Sequence, residues 1–262
     1  MSHHIIEVNN LKFRYADGRQ ALNGIAFQIL HGESVGIVGA NGAGKSTLLM
    51  HLVGVLLPNE GEIRVGEMPV TKKTIPIIRQ KVGMVFQDPN DQLFTTSVYD
   101  DVAFGPRNYK LPEEEVEKRV KRALETVGIL SLSDRPPYKL SGGEKRAAAI
   151  ATILAMNPDI LVMDEPSSAL DPKSRRLLIR LLQGFTHTKI IASHDLDMIL
   201  ELCERTIILN NGEVIADGPT NKILVDKELM EECGLEIPLS MQNCPVCGGE
   251  KRVLNEAGQD KK

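Results

Sequence analysis

One segment, Gly39-Ala40-Asn41-Gly42-Ala43-Gly44-Lys45-Ser46, constrains this chain more than any other. It fits G-x-x-x-x-G-K-[ST], where glycines let backbone N–H groups approach phosphate oxygens and the next helix adds its positive N-terminal end. The apolar run Ser34-Val35-Gly36-Ile37-Val38 leads straight into it. Residues 45–55 then predict a helix whose buried face carries Leu48, Leu49, Leu52 and Val55. Strand, glycine loop and helix together make a phosphate cradle the better reading than a merely structural turn. In such a cradle Gly39 to Thr47 hold the phosphates, Lys45 reaches the β- and γ-phosphates of ATP, and the Ser46 hydroxyl ligates Mg2+.

The rest of the chain supplies the matching scaffold. Residues 8–15 and 24–30 alternate apolar and polar side chains, as strands of an antiparallel sheet do. Ile160 to Met163 and Lys189 to Ser193 are apolar runs that predict buried parallel strands. Residues 206–216 predict a hairpin around Asn210-Asn211-Gly212. Between them lies a different region: Glu113 to Val127 is charged but places Val116, Val120, Leu124 and Val127 at helical spacing. The expected fold class is α/β: a P-loop NTPase core with an N-terminal antiparallel β subdomain and an inserted all-α subdomain.

Three further clusters carry chemistry. Asp164-Glu165 follows four apolar residues and precedes Pro166, so Asp164 can hold a metal's hydration shell and Glu165 can polarise an attacking water. Gln87 follows Met84-Val85-Phe86 and can bring an amide oxygen to the metal or the water. Leu140-Ser141-Gly142-Gly143-Glu144 precedes a helix and reads equally well as a second anion site or as a helix start capped by serine.

Taken in order, these motifs resemble the ABC-type ATPase family over about residues 5–220. The resemblance implies two ATP molecules sandwiched in a head-to-tail dimer, Ser141, Gly142 and Gly143 touching the γ-phosphate held by the opposite subunit. It implies that Tyr15 stacks on adenine, that Ser168-Ala169-Leu170-Asp171 bridges the two sites, and that His194 contacts the γ-phosphate and orders the attacking water. Glu165, His194, Lys45 and Gln87 become the expected catalytic set, with Ser46, Gln87 and Asp164 on Mg2+. Two positions depart from the pattern: Glu144 stands where glutamine is usual and Ala147 where arginine is common. The expected organisation is an ATPase domain over residues 1–220, helical between about 88 and 157, then an extension over 221–262.

The stretch from Phe86 to Phe94 and Ser97 to Pro106 resembles the ATPase of energy-coupling factor importers, particularly those for cobalt or nickel. Vitamin-importing relatives remain the alternative. Leu93, Phe94, Val98 and Phe104 either line a groove for a partner's helix or pack inside the helical region. The expected partners are a second ATPase copy (or a different ATPase) and integral-membrane subunits for coupling and substrate capture. No apolar stretch approaches the roughly 20 residues of a membrane span. The ATPase is therefore expected at the cytoplasmic side of the cell membrane, held there by partners. A net charge of −4 and the lack of a basic stripe disfavour nucleic acid, and with it a soluble ABC-type ATPase acting on DNA or ribosomes. Four cysteines fit a reducing compartment. Cys244-Pro245-Val246-Cys247 resembles half of a zinc knuckle, which needs two more ligands, from a second copy, to hold Zn2+.

Overall fold

The computed structural model describes residues 4–242. Strands β1 (His4–Arg14) and β2 (Gln20–Leu30) pair antiparallel. Strand β3 (Ser34–Val38) runs into the glycine loop and helix α1 (Lys45–Leu52). Strands β4 (Glu60–Val65) and β5 (Met68–Pro69) then join the first sheet, whose order is β2-β1-β4-β5.

Helix α2 (Ile75–Lys81) leads to β6 (Val82–Val85). The next helices are α3 (Val98–Asn108), α4 (Glu113–Thr126) and α5 (Gly142–Leu154). After β7 (Ile160–Asp164) come α6 (Pro172–Gln183), β8 (Thr188–Ala192) and α7 (Leu196–Leu202). A hairpin of β9 (Arg205–Asn210) and β10 (Glu213–Pro219) is followed by α8 (Thr220–Ile223) and α9 (Lys227–Glu232).

The second sheet has the order β10-β9-β3-β8-β7-β6, all parallel except the edge strand β10. Its centre is buried on both faces, as a parallel sheet covered on two sides requires. Alternate residues feed different cores. Val35, Ile37, Ile160, Val162, Ile190, Ile207 and Leu209 pack toward α1 and the antiparallel sheet. Val38, Leu161, Met163, Ile191 and Ile208 pack toward α6 and α7 on the other side. Each such fully buried aliphatic side chain contributes about 1.5–3 kcal/mol. The Asn211-Gly212 turn has φ of 48° and 77°, the left-handed pair a tight hairpin demands.

Every described element between β6 and β7 is helical, with its own apolar core. Val116, Val120 and Leu124 of α4 are buried there against Val98 and Val102 of α3 and Ala148 and Ala151 of α5. The Ser97 hydroxyl caps α3 by accepting from the Asp100 N–H. The four apolar residues read as groove or core divide. Leu93 and Val98 are buried, whereas Phe94 and Phe104 are 66% and 51% exposed and meet edge to face at 5.0 Å.

Helix α1 stops earlier than its apolar spacing predicts. It ends at Leu52, and Val55 is exposed instead of lying on the buried face. Gly54 is the reason: at φ 66° it turns the chain left-handed, and the Val55 and Leu56 N–H groups both return to the Met50 carbonyl. Past the hairpin, Leu224, Met230 and Cys233 pack into the core beside α6 and α7. Cys203 and Cys233 are buried free thiols, and burial holds the Cys203 pKa up at about 12. Cys244 and Cys247 lie outside the described residues. Among the described residues no helix is long and apolar enough to cross a membrane.

Candidate functional site

The glycine loop encloses one side of a cavity of about 580 Å³ at the carboxyl ends of β3, β7 and β8. Its walls include residues 39–47, Gln87, Glu165 and His194, four segments far apart in sequence. The loop's shape depends on two glycines in particular. A side chain on Gly39 would run into the Leu209 carbonyl. Gly44, at φ 105°, would place a Cβ 2.7 Å from the Ala21 carbonyl. Inside the loop the buried Lys45 ammonium donates to the Gly39 carbonyl at 2.7 Å and the Ala40 carbonyl at 3.2 Å. A cation and outward amides at a helix N-terminus are what a chain of phosphates needs.

Asp164 ends β7 almost completely buried, and its Oδ1 has no hydrogen-bond partner among the described residues. Burial raises its pKa; the neighbouring Ser46 hydroxyl and the charges of Lys45 and Arg146 work the other way, while Glu165 adds to the rise. An orphaned carboxylate oxygen beside a serine hydroxyl fits a hydrated divalent cation, and Gln87 lines the same cavity. The residues present therefore fit Mg2+.

Glu165 has a left-handed backbone, φ 46°, costly for a side chain with a Cβ by about 1–3 kcal/mol. The conformation is held by its N–H bond to the Ala192 carbonyl at 2.8 Å. Its Oε2 accepts from the Ser193 hydroxyl (3.1 Å), the His194 N–H (3.2 Å) and His194 Nδ1 (2.7 Å). The His194 side chain is otherwise largely exposed. Asp195 anchors the same loop: both its oxygens take the Arg175 guanidinium, at 2.5 and 2.8 Å, and Oδ1 also caps α7. Burial would raise the Asp195 pKa, but Arg175 leads the bonds that bring it below the usual value.

Other predicted site residues lie elsewhere. Tyr15 donates to or accepts from the Thr47 hydroxyl at 3.0 Å and packs edge-on to Phe13, beside rather than on the cavity wall. The Arg19 guanidinium covers its ring face at 4.9 Å. Ser141 and Gly143 open on a second cavity of about 600 Å³ between α5 and α6, away from the glycine loop of the same chain. Ser141 and Glu144 form a reciprocal capping box with Gly142 as the first helical residue, which gives the unusual Glu144 carboxylate a defined partner in the Ser141 N–H. Ala147 lines that second cavity, where a larger side chain would fill space. Asp171 caps α6, its Oδ1 accepting from the N–H groups of Lys173 and Ser174.

Arg19, Gly234 and Leu235 also line the first cavity and were not expected there. Arg19 had a weak signal, its place in the short loop after Tyr15. Gly234 and Leu235 had none, since nothing local in the sequence ties residue 234 to residue 40, which it approaches. Among the described residues no group of three or more His, Cys, Asp or Glu is arranged to hold a metal, so nothing there supports Zn2+.

A glycine loop at the carboxyl end of an interior parallel strand, an Asp-Glu pair at the end of β7 with β8 between the two, and a helical insertion with a capped glycine start define an ABC-type ATPase fold. Residues 22–168 match the ABC transporter family model, and the chain belongs to that family. It is 62% identical over 248 residues to a Geobacter sulfurreducens protein provisionally named an ABC transporter ATP-binding protein, covering 95% of this chain and 100% of the other. It is 48% identical to the energy-coupling factor transporter ATP-binding protein EcfA of Methanothermobacter thermautotrophicus, over 89% and 77% of the two chains. The structure is similar to cbiO1 of Clostridium perfringens, described as part of the ABC transporter complex cbiONQ. That match has a TM-score of 0.78 and 40% identity over 88% and 94% of the chains. A dimeric ATP-binding cassette, MJ0796, bound to ADP and Pi gives a TM-score of 0.75 with 29% identity, over 82% and 98% of the chains.

Proposed function

We propose that this ATPase is the energising subunit of an energy-coupling factor importer, closing as a dimer around ATP and driving uptake of cobalt or nickel through membrane partners. The observation that carries the hydrolytic part is the meeting of Glu165, His194 and the Asp164–Ser46 pair at the end of the glycine loop. Lys45 and the loop amides orient the phosphates. Ser46, Asp164 and Gln87 would hold Mg2+, which when bound neutralises charge on the β- and γ-phosphates. Glu165 takes a proton from water as its oxygen bonds to the γ-phosphorus. The bond from that phosphorus to the β–γ bridging oxygen breaks, leaving ADP and phosphate. His194 orders the water and meets the γ-phosphate.

Ser141, Gly142 and Gly143 complete the site of the opposite copy in this reading, and Asp171 lies in the loop that bridges the two. Tyr15 takes the adenine once Arg19 leaves its face. The separation of the Ser141 helix start from the glycine loop within one chain favours a two-chain site. The dimeric state of the MJ0796 cassette supports it as well. Likeness to two EcfA proteins and to cbiO1 supports the importer branch. Glu165→Gln tests the mechanism: ATP binding should persist, ATP-loaded dimer should accumulate on gel filtration, and phosphate release should nearly stop. Wild-type turnover in this variant would remove Glu165 as the base, and a strictly monomeric ATP-saturated variant would remove the shared site.

Cargo is decided by uptake in cells carrying this ATPase with its membrane subunits. Glu165-dependent accumulation of cobalt or nickel supports the metal reading, while accumulation of a vitamin alone replaces it with the vitamin-importing alternative. Zinc held between two copies by Cys244 and Cys247 is a separate proposal. It fails if chelator-washed dimer keeps the same metal content when both are changed to serine.

A further inference from the structure

Gln87 is attached to the helix behind the second glycine motif by a buried arginine. Arg146, on the second turn of α5, is 4% exposed. Its Nη1 donates to the Phe86 carbonyl at 2.7 Å and its Nη2 to the Gln87 carbonyl at 2.6 Å, while Nε is buried with no partner among the described residues. Desolvating a guanidinium for two neutral carbonyls is unfavourable unless the geometry it enforces, or the charge it brings, is useful. The charge is felt by Asp88 and by Asp164 at the cavity.

The attachment is doubled by neighbours. Gln92 accepts from the Phe86 N–H at 3.3 Å and donates to the Ala149 carbonyl and the Thr152 hydroxyl of α5, at 2.7 and 2.6 Å. Lys145 donates to the Asn90 side chain at 2.8 Å. Phe86 is thus held at both its N–H and its carbonyl by groups tied to one helix. Residues 86–92 and α5 form one hydrogen-bonded unit, and Ser141 caps the same helix.

We propose that Arg146 is a positioning residue for hydrolysis, fixing Gln87 in the nucleotide cavity according to where α5, and with it Ser141 to Gly143, stands. A shift of the helical region moves Gln87 along with it. Phosphate occupancy in one cavity and placement of the glycine helix start for the other are therefore mechanically linked, the Arg146 guanidinium holding Gln87 itself and Gln92 and Lys145 holding its neighbours. The inference rests on the proposed role of Gln87 at the metal or the water.

A double-mutant cycle tests it, with turnover and the Mg2+ concentration for half-maximal rate measured at saturating ATP. Arg146→Met is expected to lower turnover by roughly 10- to 100-fold, the scale of a misplaced contact at the reacting centre. It should also raise the Mg2+ requirement. Gln87→Ala should do the same, and adding Arg146→Met to it should change either quantity by less than about twofold, because the two act as one. Arg146→Lys, which keeps a cation and one donor direction, should restore part of the Mg2+ response and serves for the cycle if Arg146→Met does not fold. Equal losses from Arg146→Met in both backgrounds, with a lowered melting temperature and an unchanged Mg2+ requirement, would reduce Arg146 to packing and overturn the coupling. A silent Gln87→Ala would remove the role of Gln87 itself, and the coupling with it.

Discussion

Glu165 and His194 are hydrogen-bonded to each other, Nδ1 donating to Oε2 across 2.7 Å. The same oxygen also accepts from the Ser193 hydroxyl and the His194 N–H, so one side of the carboxylate is fully engaged by the loop after β8. Oε1 has no hydrogen bond within the described residues, which makes it the oxygen proposed to meet water.

If the pair works as one unit, Glu165→Gln and His194→Ala each lower turnover by about 10²- to 10⁴-fold, the usual worth of a positioned proton-transfer group. The double variant then falls little below the slower single one. Phosphate release at saturating ATP measures all three. Losses that multiply would mean the two side chains act independently.

Lys45 already makes two charge-assisted bonds within the loop, and in the proposed site it exchanges them for phosphate oxygens. Hydrogen bonds to a charged group are worth about 1.5–3 kcal/mol, so Lys45→Met should weaken ATP binding by about 10- to 150-fold. Titration calorimetry would show it. Unchanged affinity would place the ammonium outside the phosphate path.

His51 gives a pH dependence of stability. It is wholly buried on α1, bonds through Nδ1 to the Thr47 carbonyl and meets Phe13 edge-on at 4.6 Å. Burial lowers its pKa below the usual 6.5, outweighing the bond to the Thr47 carbonyl. The unfolded chain then binds the proton first as pH falls, so stability is complete above about 6.5 and declines below it, toward the lower folded-state value. Melting curves across that range should lose this slope in His51→Leu, whatever its absolute stability. A slope that persists undiminished would assign the acid sensitivity to other groups.

Phe94 and Phe104 present two exposed aromatic rings on the helical region, next to Leu93 and Val98, which are committed to its core. If they anchor a membrane subunit, Phe94→Glu with Phe104→Glu should cost about 2–4 kcal/mol of association, the range of an interface hot spot. Nucleotide binding by the isolated ATPase should be unaffected. Undiminished co-purification with the membrane subunits would move the docking surface elsewhere.

Much of the fold was legible because burial and strand geometry leave a plain pattern. Ser34–Val38 and Ile160–Asp164 read as unbroken apolar runs, and Val116, Val120 and Leu124 mark α4 by their spacing. Strand β4 and helix α3 were harder. Glu60-Gly61-Glu62 begins β4 with exposed polar residues, and Pro106 lies inside α3, where the cap at Ser97 was the better signal. Val55 misled because apolar spacing continued past the point where Gly54 turns the backbone. At the site, the glycine loop, Gln87, Glu165 and His194 could be read locally, since each follows a buried strand. Arg146 could not: its role depends on two carbonyls about sixty residues earlier, a relationship only the packed structure contains.

The cavity that the glycine loop opens is walled on another side by Gly234 and Leu235, some two hundred residues later. During synthesis, therefore, the cradle around residue 40 leaves the ribosome long before its last wall exists. A nucleotide arriving early finds an unfinished vessel, and this wall waits on the segment around residue 234. The order of translation thus sets the order in which this pocket gains its grip.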